Sequence, residues 1–490
     1  MGLSNSAYLR LGGLDEVIER ILRIVGIPGA AIAIVSGGEP VFARGYGYRD
    51  LEAKLPLTSK TAYPIASTTK ALNATLLGML VEEGQLAWDA PVQRYLPTFR
   101  LRDPLISTQV TIRDLIVMRT GLPRHDWLWI EHSTDRADLV RRLAFVEPSA
   151  GFRERFQYNS LTALTAGHIA EVITGQQWEC LVREKILTPL GMSCTEFTLP
   201  ETDDVSLSYH ENSRRELVVT HRLTTAVTAP TGGAIHSTVE DMARWLAFNL
   251  SDGRVAGRRL VAPGTLKEIH SPCIVAGSDQ TAPSPNAAYA LGWFVDTYNG
   301  HARVSHTGYL HDVHSSVMLF PGDDLGMVSF ANFGCPRLAS LINQYAFDLL
   351  MDFKPAQTLE AKNSEYEKKI QETRARIATI RRVQNTSPSH ALDDYAGRYE
   401  HAGYGRIEIR YCNQELILKR NKLVLPLEHW HYDAWIVKEN DLFPIDTPHA
   451  LDRTSRLVFE TSADGEIVSF TIRLEPAVAP IRFDKQKSPL

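Results

Sequence analysis

Between residues 354 and 390 the chain changes character, and that change divides everything around it. The segment from Lys362 to Arg382 is dense in charge and carries only a thin apolar stripe, Ile370, Ile377 and Ile380. Such a pattern suits a helix lying on a surface, not one buried in a core. A chain of 490 residues is also long for one hydrophobic core. The expected organisation is a first domain over 10–352, a charged helical linker over 353–390 and a second domain over 391–486.

Beyond the linker, short runs of alternating residues repeat, at Arg406 to Tyr411, Glu415 to Lys419, Lys422 to Leu425, Ala434 to Val437, Arg456 to Glu460 and Val468 to Arg473. This spacing reads as a small all-β barrel or sandwich. The first domain is mixed. Leu14 to Ile24 has helical spacing and stops at Gly26-Ile27-Pro28-Gly29, after which Ala30 to Val35 and Pro40 to Arg44 read as a hairpin. Helices and loops alternate from Ser67 to about Glu179. Strands return at Ala288 to Asp296, Ala302 to His306, Ser315 to Phe320 and Gly326 to Ala331, followed by a helix over Ile342 to Met351. The fold class is therefore α+β, with the two ends of the domain sharing one antiparallel sheet around a helical insert.

Lys plus Arg total 52 against 57 for Asp plus Glu, a net charge of -5, which argues against a nucleic-acid partner. Cys180, Cys194, Cys273, Cys335 and Cys412 are scattered without Cys-x-x-Cys pairing and read as buried, reduced thiols. No apolar run is long enough to span a bilayer, and no stretch has the pattern of a secretory signal, so a cytoplasmic location is expected.

Three stretches carry side chains able to do chemistry. Ser67 stands where an extended approach through Pro64 meets the apolar run Ala71 to Val81, which places it in a helix's first turn with Lys70 on the same face. A serine hydroxyl is a poor nucleophile until a base takes its proton. A lysine can be that base only when burial or a neighbouring cation holds it neutral. Tyr158, within Phe156-Gln157-Tyr158-Asn159-Ser160, lies just before the helical run Leu161 to Ile173. Alone it reads as a cap or a pocket filler, but beside a cationic lysine its phenol could titrate low enough to exchange protons. His306, within Ser305-His306-Thr307-Gly308-Tyr309 at a strand end, could bind a carboxylate or assist proton transfer. Asp126 to His132 reads as a loop packed by Trp127 and Trp129 at least as well as a substrate contact. His429 and His431 lack an evident third ligand and read as structural.

In this order and at these separations, Ser67-x-x-Lys70, Tyr158-Asn159-Ser160 and His306-Thr307-Gly308 resemble the motifs of the serine β-lactamase and penicillin-binding-protein superfamily. Within it the chain is most similar to the class C β-lactamase-like serine hydrolases. Gly26 to Ala31, Leu115 to Pro123 and Gly232 to Ala243 support the likeness, which covers roughly residues 10 to 352. It implies a serine β-lactamase/DD-peptidase-like fold, an antiparallel sheet flanked by helices plus a helical subdomain. The C-terminal part, through Tyr395 to Glu400 and Pro426 to Asp433, resembles the lipocalin-like barrel appended to many of these hydrolases.

By position the resemblance implies Ser67 as acylated nucleophile, Lys70 as its proton acceptor, and Tyr158 as the group that passes a proton to the leaving group and later activates water. His306, Thr307 and Gly308 take the place of the family's Lys-Thr-Gly strand, and the N–H groups of Ser67 and Tyr309 form the oxyanion hole. Two departures stand out. Ser160 occupies the position of a usual asparagine, so either Asn159 turns inward to the substrate or the substrate is not an amide of that kind. His306 replaces lysine, as in the family's esterases and D-aminopeptidases. The function implied is a serine hydrolase forming a covalent acyl-enzyme on amide or ester bonds of a peptide or small molecule. Acyl transfer, thioesterase or cyclase chemistry, a true β-lactamase and a catalytically silent binding module are the alternatives. No cofactor and no metal are implied, and a homo-oligomer is compatible with the likeness.

Overall fold

In the computed structural model, which describes residues 5–487 apart from 131–134, 201, 213, 221–225, 234, 311, 335–337, 356 and 439–454, the first long helix is Leu14–Val25. Leu14, Ile18, Ile21 and Leu22 recur on its one buried face. It ends where Gly26 turns left-handed (φ 75°) and gives its N–H to the Leu22 carbonyl at 2.9 Å.

That helix packs on a nine-stranded antiparallel sheet. In spatial order the strands are Ile274–Val275, Ala288–Tyr289, Phe294–Tyr298, His301–Leu310, Val313–Phe320, Leu325–Ala331, Gly29–Ser36, Glu39–Asp50 and Leu55–Pro56. Ala30 pairs with Ala331 and Val35 with Gly326, so the two ends of the domain do meet in one sheet. The run Ala288 to Asp296, read as one strand, is broken in two at Leu291-Gly292. A Cβ on Gly292 would lie 2.5 Å from the Lys70 carbonyl, so the turn fits closely against the helix that follows Ser67.

Every residue of Gly29–Ser36 is buried because both faces of the sheet are covered. Ala30, Ile32, Ile34, Met318 and Phe320 face Leu14–Val25 and the helix Leu338–Leu350. Ala31, Ala33, Val35 and Val328 face the other way, towards the helix Val239–Leu250, which Thr238 caps by accepting the Asp241 N–H at 3.1 Å. On this side lies the helical subdomain. Its helix Thr69–Glu82 is buried at every position from Thr69 to Leu80, which explains why that stretch has no polar stripe.

The linker helix Leu359–Ala378 buries only Leu359 and Ile377 and is tied to the first domain by Arg20 with Glu360 and Arg215 with Glu367. Beyond it Arg382 donates to the carbonyls of His429 and Trp430, both at 2.7 Å. The C-terminal domain is a closed eight-stranded antiparallel barrel, joined where Gly397–His401 meets Ile481–Lys485. Leu423, Leu425 and Leu427 alternate into its interior, and Tyr399, Phe459, Phe470 and Phe483 pack their rings together there.

The cysteines depart from expectation. Cys180, Cys194 and Cys412 are exposed free thiols and Cys273 is half-buried, while Cys335 lies outside the described residues. Cys180 is exposed because Trp178, Leu181 and Val182 take the inner face of its short helix, and Cys412 because it ends a strand at a turn. His429 Nε2 meets the Tyr432 carbonyl at 2.7 Å and His431 Nδ1 accepts the Val383 N–H, in keeping with a structural role. Among the described residues, no group of three or more His, Cys, Asp or Glu is placed to hold a metal, and no helix is long and apolar enough to cross a membrane.

Candidate active site

The chain enters the Ser67 turn through Tyr63–Pro64, a short strand paired with His236–Ser237. The Ile65 carbonyl is then fixed by two hydroxyls, Thr68 Oγ1 at 2.8 Å and Ser315 Oγ at 2.6 Å. Ala66 lies in the left-handed region at φ 49°, which costs an alanine about 1–2 kcal/mol and persists only where the surroundings hold it. Ser67 follows in the tight 3-10 turn Ala66–Thr68, and the α-helix begins at Thr69, so Ser67 stands in the turn that leads into the helix and not in its first α-helical turn. Two glycines let other segments close on this turn. A Cβ on Gly232 (φ 106°) would fall 1.8 Å from the Ala66 carbonyl oxygen, and one on Gly308 would fall 2.5 Å from that of Ile65.

Lys70 meets the condition set for a base. Its Nζ lies 3.0 Å from Ser67 Oγ, donates to the Thr231 carbonyl at 3.1 Å and stands 4.9 Å from the centre of the Tyr158 ring. Burial, with help from the Arg124 guanidinium, pushes the amine down to about 7, and Asp126 opposes this by less than either. Tyr158 behaves differently from the expectation. Burial holds its phenol above the ordinary value, and the Ser67 hydroxyl and Arg124 offset that only in part, so it is a protonated hydroxyl at neutral pH.

Asn159 does not turn towards the cavity. Its Oδ1 accepts the Thr162 N–H at 3.0 Å, capping the helix Ser160–Thr174, and its Nδ2 donates to the Pro123 carbonyl. Ser160 is the residue of that pair that lines the cavity. His306 is 1% exposed, with Nδ1 2.6 Å from the Thr307 carbonyl and Nε2 3.2 Å from the Tyr289 hydroxyl. Burial and the nearby Lys70 push its ring down to about 3, so at neutral pH it offers a carboxylate no cation. Thr307, Gly308 and Tyr309 line the cavity beside it. The Tyr309 hydroxyl donates to Asp312, which Thr220 and His210 also engage. Burial would raise the Asp312 carboxyl, but these hydrogen bonds more than offset it and hold it below the ordinary value.

Ser67, Tyr158, Ser160, His306 and Arg124 open on a cavity of about 670 Å³ that extends beyond them to the helices Leu338–Leu350 and Leu359–Ala378. Arg124 was missed by the sequence reading, whose supporting stretch Leu115 to Pro123 ends one residue short. Its Nε donates to Asp126 Oδ2 at 2.6 Å and its guanidinium lies 5.0 Å from the Tyr158 ring centre. The tryptophans after it do pack the loop, as read, with Trp129 Nε1 donating to Asp126 Oδ1 at 2.9 Å. Trp129 also lines the cavity. The same loop meets the barrel: the His125 N–H donates to Glu475 Oε2 at 2.9 Å, His125 Nδ1 lies 2.7 Å from the Tyr404 hydroxyl, and Arg420 donates to the Ile130 carbonyl at 3.1 Å.

Residues 14–349 match the family described as Beta-lactamase, and residues 381–485 match a domain of unknown function, DUF3471. Among curated proteins, the chain is 27% identical over 428 residues to an unguisins hydrolase of Aspergillus campestris, covering 82% of this chain and 78% of that protein. It is 28% identical over 336 residues to protein flp of Staphylococcus aureus, covering 67% of this chain and 64% of that one. Among solved structures, it is similar to the octameric penicillin-binding protein homologue from Pyrococcus abyssi, with a TM-score of 0.62 and 23% identity, covering 97% of this chain and all (100%) of the other.

Proposed function

The chain belongs to the β-lactamase family, and from that premise we propose that it is a serine hydrolase working through a covalent acyl-enzyme on amide or ester bonds of a peptide or small molecule. The contact of Lys70 Nζ with Ser67 Oγ at 3.0 Å, with the amine pushed down to about 7, carries the reading. A neutral amine at that distance can take the serine proton as Oγ bonds to the acyl carbon. The Lys70 proton then passes through the Tyr158 hydroxyl to the leaving nitrogen or oxygen as its bond to carbon breaks. In the second half, water attacks the acyl carbon, its proton returns by the same groups to Ser67 Oγ, and the acid is released. The N–H groups of Ser67 and Tyr309 would hold the oxyanion in both halves. His306, uncharged and with both ring nitrogens engaged by the Thr307 carbonyl and the Tyr289 hydroxyl, serves to hold the strand at Thr307 in place.

Among the outcomes of such an acyl-enzyme, the kinship with a protein named for hydrolysis favours water over a transfer acceptor. The cavity of about 670 Å³, which runs from Ser67 out to the linker helix, has room for a small ligand or a short peptide segment. The test is a panel of aryl esters, D- and L-aminoacyl amides, linear peptides and β-lactams, incubated with wild type and Ser67→Ala and followed by product mass. Turnover confined to wild type supports the reading. Turnover by neither protein on any member of the panel would reject it in favour of a silent binding module, and equal turnover by both would reject Ser67 as the nucleophile.

A further inference from the structure

We propose that the C-terminal barrel is a working part of the active site, with Glu475 and Tyr404 acting as positioning residues that grip His125 and so hold Arg124 against Tyr158. The inference rests on the acyl-enzyme reading. Tyr404, Arg420 and Glu475 come from three separate segments, yet all stand at one end of the barrel, and that end meets the loop from 124 to 130. His125 is held at φ 47°, a left-handed conformation a histidine keeps only under constraint. Its polar atoms are all engaged. Nε2 faces the Glu147 carbonyl at 2.8 Å and must carry the ring proton, so Nδ1 accepts from the Tyr404 hydroxyl at 2.7 Å, and the backbone N–H goes to Glu475 at 2.9 Å. A second grip lies five residues on, where Arg420 donates to the Ile130 carbonyl and lies over the Trp127 ring at 5.8 Å.

Arg124, next to the first grip, and Asp126, between the two, are the charged groups the loop presents to Lys70; Tyr158 and His306 face the amine from the other elements around it. The cation of Arg124 outweighs the anion of Asp126 in its effect on Lys70. Slackening the loop removes that cation and admits water, and both changes favour the protonated amine. The barrel thus bears on the proton of Lys70 without touching substrate.

The test uses the full chain and an uncharged fluorescent phosphonate, whose rate of reaction with Ser67 is measured from about pH 5.5 to about 9.5 for wild type, Arg124→Met, Glu475→Ala, Glu475→Gln and Tyr404→Phe. The acid limb should move up by about one pH unit in Arg124→Met and Glu475→Ala, so that labelling near pH 6 falls about tenfold while the alkaline plateau changes little. Glu475→Gln should recover part of the shift, because its amide oxygen still accepts the His125 N–H. Tyr404→Phe removes one hydroxyl only, and gives the same direction of shift should Glu475→Ala fail to fold. Equal losses at every pH with an unmoved limb would mark the contact as merely structural and overturn the inference while leaving the hydrolase reading intact. A wild type that never labels would overturn both.

Discussion

Replacing Gly308 by alanine tests how closely the strand His301–Leu310 must approach the Ser67 turn. The added Cβ would stand 2.3 Å from Ser315 Oγ, 2.5 Å from the Ile65 carbonyl oxygen and 2.9 Å from Ala66 Cβ. The hydroxyl could rotate away, but only by giving up its 2.6 Å hydrogen bond to Ile65, about 1 kcal/mol. The Ile65 oxygen is backbone and cannot rotate. Ordinary contact begins near 3.4 Å, so strand and turn must separate by about 0.9 Å. Overpacking of this kind costs about 1–3 kcal/mol of stability, and a displacement of about 1 Å at a reacting centre can cost about a hundredfold in rate. Gly308→Ala should therefore lower kcat/KM for a neutral aryl ester about a hundredfold, mainly in kcat, in a protein that still melts cooperatively. A folded variant with a near-normal rate would refute the claim that this close approach positions the nucleophile.

Other consequences concern protons and caps. With Lys70 at about 7, about half of the amine is neutral at pH 7, against about one part in three thousand for a lysine at its ordinary 10.5. Acylation of Ser67 should rise with pH through a midpoint near 7, and Lys70→Arg, which cannot release its proton, should abolish it; stopped-flow burst kinetics would check both. Burial pushes His270, His306 and His314 down to about 4, 3 and 4 in the folded chain, below the ordinary 6.5 they regain on unfolding. The unfolded state therefore binds more protons in this window, so stability is full above about pH 6.5 and is lost as pH falls towards 4; thermal melts across that range should show a falling Tm. Asn159→Ala removes a helix cap and should cost about 1 kcal/mol or somewhat more in urea unfolding, with KM nearly unchanged because the side chain faces away from the cavity.

The parts of this molecule that repeat a local pattern were legible in its sequence. The barrel showed in its period-two runs, the surface linker in its charge, and the shared sheet in strands that bracket a helical middle. Ser67 and Lys70 were legible because two residues spaced three apart form a local arrangement. Arg124 was not, since its importance comes from tertiary packing over Tyr158, and one arginine after Gly-Leu-Pro has no signature of its own. A tyrosine beside a cationic lysine would titrate low, whereas burial here favours the uncharged form of both groups, the neutral amine of Lys70 and the protonated phenol of Tyr158. Asn159 reads in sequence as an inward contact to an amide substrate or as no contact at all; its cap, the 3.0 Å bond from the Thr162 N–H, shows only in the structure.

The central claim is that Ser67 carries the acyl group during turnover. Rapid acid quench of the enzyme with an aryl ester in excess, followed by intact mass and peptide mapping, tests it directly. The account predicts that the mass of one acyl group appears on the peptide containing Ser67 in wild type and is absent from Ser67→Ala. Ester turnover in Ser67→Ala at the wild-type rate, or an acyl mass that maps to another residue, would contradict it.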